Sequence, residues 1–473
     1  MPRGRTPLAR GPGPVQSGDM PMVSINPATG KLLQRYRPTP SAGVEKALAR
    51  AAKHSTAWRH ESLATRSEAV RALGVVLRAR RDSLAAMITA EMGKPITQAQ
   101  AEIEKCAACC DYYARQGASF LTPETPPESP AGSEVWFEPL GTVLAIMPWN
   151  FPFWQLFRAA APAFIAGNAI LLKHASNVSG CALAIESVAR EAGLPAGLLQ
   201  TLLVPPSAIA GLIADPRIRA VTLTGSTEAG RSVAALAGKA LKPAVLELGG
   251  SDPYLIFEDA DLDAAAECCA SARLVNNGQS CVAAKRFIVA RSLHGEFARR
   301  LAERMAARKV GDPRSADTDL GPLAREDLRA SLHQQVTASI KGGAHLVSGG
   351  TLPKGPGAFY PPVVLTHVPA GTPAFEDELF GPVAAVIPAR NEADALRLAN
   401  HTPFGLGAAV FTRDSARAER VAKALDCGMV TLNGAVRSEV ALPFGGTKES
   451  GLGRELGVWG VRSFVNIKAI RRC

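Results

Sequence analysis

Between residues 142 and 250 short apolar runs alternate with helical patterns, and this alternation limits the chain to few folds. TVLAIM (142–147), AILLK (169–173), LQTLLV (199–204), AVTLTG (220–225) and AVLELGG (244–250) have the length of strands. They are mostly apolar, with little left on either face for water. Helical stretches separate them: Phe153 to Ile165, CALAIESVAREAG and AGRSVAALAG. Strands buried on both faces and joined by helices make a parallel, helix-covered sheet. The expected fold class is therefore α/β.

The style returns after residue 248, where DLDAAAECCASARLVNNG reads as a helix, RFIVA as a strand and HGEFARRLAERMAARK as an amphipathic helix. VAAVIPA and AAVFT are further strands, with helices near 392–400 and 414–426. With 473 residues, the chain exceeds one ordinary core, and a second α/β domain is expected to begin near residue 248. Upstream, helical periodicity runs through about 41–118 until TPETPPESPAGS breaks it and WFEPLG follows, the pattern of a linker or an exposed arm. The end, GRELGVWGVRSFVNIKAIRRC, alternates apolar residues like a strand seeking a partner in this chain or another subunit. Residues 1–20 are rich in Pro, Gly and Arg and read as a disordered tail, or as sequence upstream of a start at Met20 or Met22.

Composition excludes several classes. Hydrophobic residues make up 47% and charged residues 20%, which suits a soluble globular chain rather than a disordered one. The net charge of +11 is scattered, without the basic stripe that nucleic acid requires, and an anionic small molecule accounts for it as well. No apolar run is long enough to span a membrane, and no secretory h-region follows the start. Nine cysteines, an odd number with no regular framework, point to reduced thiols and a cytoplasmic protein. Cys106, Cys109 and Cys110 in KCAACC have no matching metal-binding half elsewhere, so they read as small buried helix residues and no metal site is expected.

Ligands of parallel α/β sheets gather at the carboxyl ends of strands. Four such ends carry Asn150, Lys173, the pair Gly225 and Ser226, and the pair Glu247 and Leu248. Separately, NNGQSCVAAKR (276–286) places Cys281 among small and polar neighbours, with a basic pair behind it. A thiol so presented suits a nucleophile. Glu247 then suits a base for the thiol or for a water, and Asn150 with the Cys281 N–H suits an oxyanion site. Singly, each has a plain reading: a small packed residue, a surface carboxylate, a turn former. LTGSTEAG opens a helix in the manner of a phosphate cradle. Gly225, Gly230, Arg231 and Ser232 come near a P-loop, but arginine stands where lysine is required. That near match carries the alternative of a nucleotide hydrolase.

On PWNFPFW (148–154), LTGSTEAG (223–230), LELGGSDP (246–253), GQSC (278–281), ELFGPV (378–383) and PFGGTKESGLGRELG (443–457), in that order, the chain resembles the aldehyde dehydrogenase superfamily from about residue 23 to 470. The resemblance implies a Rossmann-like cofactor domain (21–122 and 143–247), a second α/β catalytic domain (248–432), and a small β oligomerisation arm with a C-terminal strand (123–142 and 433–473). It implies attack of Cys281 on an aldehyde, an oxyanion held by Asn150, hydride transfer to a nicotinamide, and hydrolysis of the thioester by a water that Glu247 activates. The cofactor would lie along Trp149, Asn150, Lys173, His174, Ala175, Ser176, Gly225, Ser226 and Leu248, with Glu378 on the nicotinamide ribose and Phe380 beside it. Glu455 matches a residue associated with proton relay in some members.

One departure concerns the cofactor. Ser176 stands where NAD-preferring members often carry glutamate, so NADP is expected to be accepted and preferred over NAD. LLKHASNV, LELGGSDP and CVAAKRFIV are similar to the bacterial succinate-semialdehyde branch, in which Arg158 matches the substrate arginine and Ser438 or Arg437 adds a contact. A broad aliphatic or aromatic aldehyde dehydrogenase, and a catalytically silent homologue, are the other readings on this fold. A homodimer or homotetramer without nucleic-acid or membrane partners completes the expectation.

Overall fold

All six residues of Thr142–Met147 are buried. In the computed structural model, which describes residues 21–472, this strand lies inside a six-stranded sheet. The order is Gly451–Leu452, Ala244–Glu247, Ile218–Thr224, Thr142–Met147, Ala169–His174, Leu199–Thr201. The five strands from 142 to 247 are parallel, and only Gly451–Leu452 runs against them. Four helices, Ser41–Trp58, Leu63–Ala79, Arg81–Met92 and Ile96–Gln116, account for the upstream periodicity. Val70, Leu73, Ile88 and Ile103 share one core cluster with Val143 and Ile170, so these helices pack on the sheet that follows them. Cys106, Cys109 and Cys110 are fully buried in that cluster.

A second, seven-stranded sheet takes its strands from residues 253 to 432, in the order His345–Ser348, Val363–Thr366, Val383–Ala389, Arg286–Ala290, Pro253–Ile256, Gly407–Phe411, Met429–Leu432. Only the edge pair His345–Ser348 with Val363–Thr366 is antiparallel. The C-terminal strand Val465–Ile470 pairs antiparallel with Glu134–Pro139 of the same chain, which answers where the alternating tail goes. Among the described residues, no helix is long and apolar enough to cross a membrane. The N-terminal tail, residues 1–20, lies outside the described residues.

Three sequence expectations shift locally. LQTLLV shortens to the strand Leu199–Thr201, because it is a sheet edge and Pro205 and Pro206 follow. The helix expected through LVNNG ends at Leu274, and Asn276 and Asn277 turn into the left-handed region with φ of 55° and 58°. Asparagine tolerates that region better than most residues, and the turn aims the chain toward Cys281. Gly230, counted toward a P-loop, instead lets its helix close on Leu248, since a Cβ there would collide with that side chain.

The helix Trp154–Ala166 has no side-chain cap at Phe153, its N-cap residue. Buried Glu102 takes that place from the neighbouring helix: one carboxylate oxygen accepts the N–H groups of Phe153 and Trp154 at 2.9 and 3.1 Å. Its other oxygen pairs with buried Lys94, whose ammonium also lies 3.9 Å from the Phe151 ring centroid. Removing one partner of such a pair strands a charge and costs about 3–5 kcal/mol. Glu102→Ala should therefore lower the thermal unfolding midpoint by several degrees, and the double change Lys94→Met with Glu102→Ala should recover part of it. Equal midpoints for the single and double variants would rule out a paired charge as the cause.

Candidate active site

Cys281 is half-buried and lines a cavity of about 850 Å³. The turn that carries it is held from several sides. Asn277 donates to the carbonyls of Gly93 and Pro322 and accepts the Gly321 N–H. The Gln279 side chain accepts the Ala324 N–H at 2.9 Å, and Arg273 donates to the Gly278 carbonyl at 2.5 Å. Gly278, at φ +75°, has no room for a side chain, because a Cβ would meet the Gly381 backbone. The basic pair behind the cysteine is structural. Lys285 donates to the carbonyls of Ser280, Cys281 and Ala283 at 3.0, 2.8 and 3.3 Å. Arg286 serves the carbonyls of Ser251, Leu398 and Ala399. Burial pushes the thiol up to about 12, against the pull of Arg158 and Lys285.

Asn150 lies beyond Pro148 and Trp149, which follow the strand Thr142–Met147, and is buried. Its amide donates to the Gln279 carbonyl at 3.1 Å and its carbonyl oxygen accepts from Gln155 at 3.3 Å. Asn276 bridges the same two segments, donating to the carbonyls of Asn150 and Gln279. The side chain is thereby fixed beside the Cys281 turn with one of its two N–H donors uncommitted. The Cys281 backbone N–H is likewise used in no hydrogen bond among the described residues. Two donors held near one sulfur can stabilise an oxyanion formed on its addition product.

Glu247 ends its strand 1% exposed, with neither carboxylate oxygen hydrogen-bonded. Burial raises its pKa well above the ordinary carboxyl range, Glu455 adds to this, and Arg158 and Arg454 oppose it. Burial of this kind favours the protonated form and makes the carboxylate a stronger base than an ordinary one. Arg158 and Glu455, both buried, form an ion pair. The guanidinium also donates to Thr224 at 3.1 Å and lies 4.5 Å from the Phe444 ring centroid. Arg158 lines the cavity with Cys281, as do Arg437 and Ser438.

On the other flank of the first sheet, Lys173 is half-buried and has no acidic partner among the described residues. Ser176, just beyond it, is exposed. An unpaired ammonium beside an exposed hydroxyl fits an anionic group such as a phosphate. Ser226 caps the helix Thr227–Lys239 by accepting the Ala229 N–H, and the Gly225 N–H is taken by the Glu247 carbonyl. His174 turns inward: it bonds the Pro152 carbonyl and accepts the Ala175 N–H, and burial lowers its pKa to about 4, so it is neutral. Glu378 accepts the Gly250 N–H at 3.1 Å and faces Lys285 at 3.3 Å. Trp149 and Phe380 meet edge to face at 5.7 Å. Leu248 packs under Gly230. The P-loop reading loses its anchor here, because Arg231 is exposed and pairs with Glu449 at 2.5 Å.

Sequence reading passed over Lys105, Glu102 and Gln155, which also line the cavity or fix its walls. The first two sit in AEIEKC, where charges at helical spacing resemble a solvated face. The segregation of Cys106, Cys109 and Cys110 onto the buried side was the available signal that Glu102, four residues earlier, shares that side.

A family model described as "Aldehyde dehydrogenase family" matches residues 15–470. A probable succinate-semialdehyde dehydrogenase, NADP(+), of Synechocystis sp. is 47% identical over 95% of this chain and 99% of its own length. An Escherichia coli succinate semialdehyde dehydrogenase, NAD(P)+, is 46% identical over 95% and 97%. The crystal structure of a succinic semialdehyde dehydrogenase from Streptococcus pyogenes in complex with NADP+ superposes with a TM-score of 0.93 at 37% identity, covering 95% of this chain and 99% of that one.

The raised thiol pKa has a direct readout. Below about 12 the thiolate fraction rises tenfold with each pH unit. Alkylation of Cys281 by iodoacetamide, followed by mass spectrometry of its peptide, should therefore accelerate steadily from pH 7 to 10 in the cofactor-free protein. A plateau below pH 9 would show that a neighbouring group already ionises the thiol.

Proposed function

The chain belongs to the aldehyde dehydrogenase family, and on that premise we propose that it oxidises succinate semialdehyde, or a similar carboxylated semialdehyde, to the acid with NADP in preference to NAD. The observation that carries the reading is the cavity that reaches Cys281 with Lys105, Arg158 and Arg437 among its lining residues, in a chain 45–47% identical to curated proteins of that name. A cationic wall suits an aldehyde with a carboxylate at its far end. The NADP preference is supported by unpaired Lys173 next to exposed Ser176, where a glutamate would repel a 2′-phosphate.

In the proposed chemistry the Cys281 thiol passes its proton to solvent water as its sulfur bonds to the aldehyde carbon. The free Asn150 N–H and the Cys281 N–H hold the oxygen that becomes negative. NADP, when bound, would supply the hydride acceptor, and Trp149, Lys173, His174, Ala175, Ser176, Gly225, Ser226, Leu248, Glu378 and Phe380 would hold it. As the oxyanion collapses, the carbon loses hydride and stays on Cys281 as a thioester. Glu247, once ionised, takes a proton from water; the hydroxide adds to the thioester carbon and the thiolate leaves. Glu455 fixes Arg158 in the cavity wall by its ion pair, and of the two only Arg158 favours ionisation of Glu247. Arg437 and Ser438 stand in the same wall.

Reduced nicotinamide absorbance, followed with succinate semialdehyde or benzaldehyde and with NAD or NADP in parallel, tests the reading. Succinate semialdehyde with NADP should give the highest kcat/KM; benzaldehyde ahead of it would defeat the substrate assignment. Cys281→Ala should be inactive. Glu247→Gln should release about one equivalent of NADPH per site and then turn over about 100- to 10,000-fold more slowly. Because the Glu247 carboxyl is raised, kcat in the wild type should climb as pH rises above neutral; a flat profile from pH 6 to 9 would deny it the role of base.

We further propose that the ribbon Glu134–Pro139 with Val465–Ile470 is the arm of a homodimer or homotetramer, and that the protein is cytoplasmic. Trp136 and Ile467 on that ribbon stay 37% and 62% exposed in the single chain, and unpaired cysteines suit a reducing compartment. Sedimentation velocity that finds only monomer at micromolar concentration would overturn the assembly.

A further inference from the structure

We propose that Asp252 is a positioning residue, whose carboxylate keeps Lys285 charged and the Cys281 turn formed when a cofactor ribose engages Glu378. The inference rests on the reading above that sets Glu378 at the nicotinamide ribose. Buried Lys285 donates to the carbonyls of Ser280, Cys281 and Ala283, and among the described residues Glu378, at 3.3 Å, is the carboxylate within ion-pair reach of it. The same Glu378 oxygen accepts the Gly250 N–H at 3.1 Å. The other lies beside Gly249, where a Cβ would come within 2.7 Å of it, and is used in no hydrogen bond among the described residues. Ribose hydroxyls that donate to that second oxygen draw the carboxylate's charge away from Lys285. A buried ammonium short of counter-charge gives up its proton more readily, and the neutral amine has too few N–H groups for three carbonyls.

Asp252 is the second carboxylate of this region, and it is buried. Its backbone carbonyl accepts the N–H groups of Lys285 and Arg286, both at 3.2 Å, which fixes it beside the cysteine segment. Its Oδ1 accepts the Gly407 N–H at 3.0 Å, and its Oδ2 accepts no hydrogen bond among the described residues. Gly250 separates this carboxylate from the carbonyl that Lys285 holds: a Cβ on Gly250 would lie 2.9 Å from the Cys281 oxygen and 3.2 Å from Asp252 Oδ1. Three buried cations, Lys285, Arg273 and Arg286, feel the charge of Asp252. Glu378 acts on the first two of them and Glu376 on the third. Tyr254 and Cys427, the other titratable groups beside Asp252, are held neutral by burial.

Burial raises the Asp252 carboxyl to about 6, Lys285 and then the Gly407 N–H oppose this, and Glu378 adds to it. Drawing charge from Glu378 weakens its repulsion of Asp252 and leaves Lys285 more dependent on Asp252. Both effects favour the ionised carboxylate. Cofactor binding and ionisation of Asp252 are thereby linked, so affinity is full above pH 6 and falls as Asp252 takes up a proton.

The test uses NAD as the probe, because the 2′-phosphate of NADP itself titrates at about pH 6. In the wild type, NAD binding read by protein fluorescence should weaken about 3- to 10-fold from pH 7.5 to pH 5. Calorimetry at pH 5.5, in two buffers of different ionisation enthalpy, should find about half a proton released per NAD bound. Asp252→Asn keeps an acceptor for the Gly407 N–H and removes the charge. It should bind NAD at both pH values with the weaker affinity that the wild type reaches in acid, and release none of that proton. A variant with the wild-type pH dependence, whatever its overall affinity, would overturn the assignment. So would wild-type binding without proton release at pH 5.5, a measurement that stands even if the variant fails to fold. Glu378→Gln separates the premise: if it binds NAD as tightly as the wild type, the placement of Glu378 at the ribose falls, and the role of Asp252 with it. Weakened binding in Glu378→Gln beside an unaltered pH dependence in Asp252→Asn would remove Asp252 alone.

Discussion

A single ammonium sets the geometry around the thiol. Lys285 is 1% exposed and places its donors on three carbonyls of the turn from Ser280 to Ala283, with Glu378 as its counter-charge. Backbone carbonyls that converge this closely would repel one another without a cation between them. Because Glu378 also accepts the Gly250 N–H, the same charge ties the cysteine turn to the segment just after Glu247. The Cys281 turn and the segment that follows Glu247 thus share one electrostatic anchor. Cys281 itself gains little acidity from it, since burial outweighs the attraction.

The oxyanion side has a separate support. Glu102 and Lys94 start the helix that follows Asn150, and Asn276 and Gln279 bind the Asn150 loop to the cysteine turn. Charged groups buried in pairs appear here because an active site needs fixed side chains in a dry wall. Each pair lies between two distant segments, so each fixes a tertiary distance as well as a charge.

The parallel strands were legible because burial on both faces leaves unbroken apolar runs, and Thr142–Met147, Arg286–Ala290 and Val383–Ala389 appear as read. Asn150, Glu247 and Cys281 were legible from their places at strand ends and among small neighbours. Lys105 and Glu102 were not, because a charge on an amphipathic helix reads as solvated unless its partner is known, and their partners Ser438 and Lys94 come from other segments. The left-handed turn at Asn276 and Asn277 was hidden by helix-forming residues before it. Arg158 was found, but its pairing with Glu455 depends on a contact that spacing does not encode. The near P-loop failed for a similar reason, since Gly230 and Arg231 serve Leu248 and Glu449.

The return of the C-terminal segment to the first sheet bears on how the protein is made. Ser450 donates to the Gly249 carbonyl across 201 residues of sequence, and Asn168 donates to the Phe464 carbonyl across 296. During synthesis the first sheet emerges early with its Ala244–Glu247 edge unpaired, and it stays so until Gly451–Leu452 has left the ribosome. Glu247 at that edge acquires its dry surroundings only then. A nascent chain that has not yet reached residue 451 therefore carries an exposed strand beside an unfinished Glu247 environment.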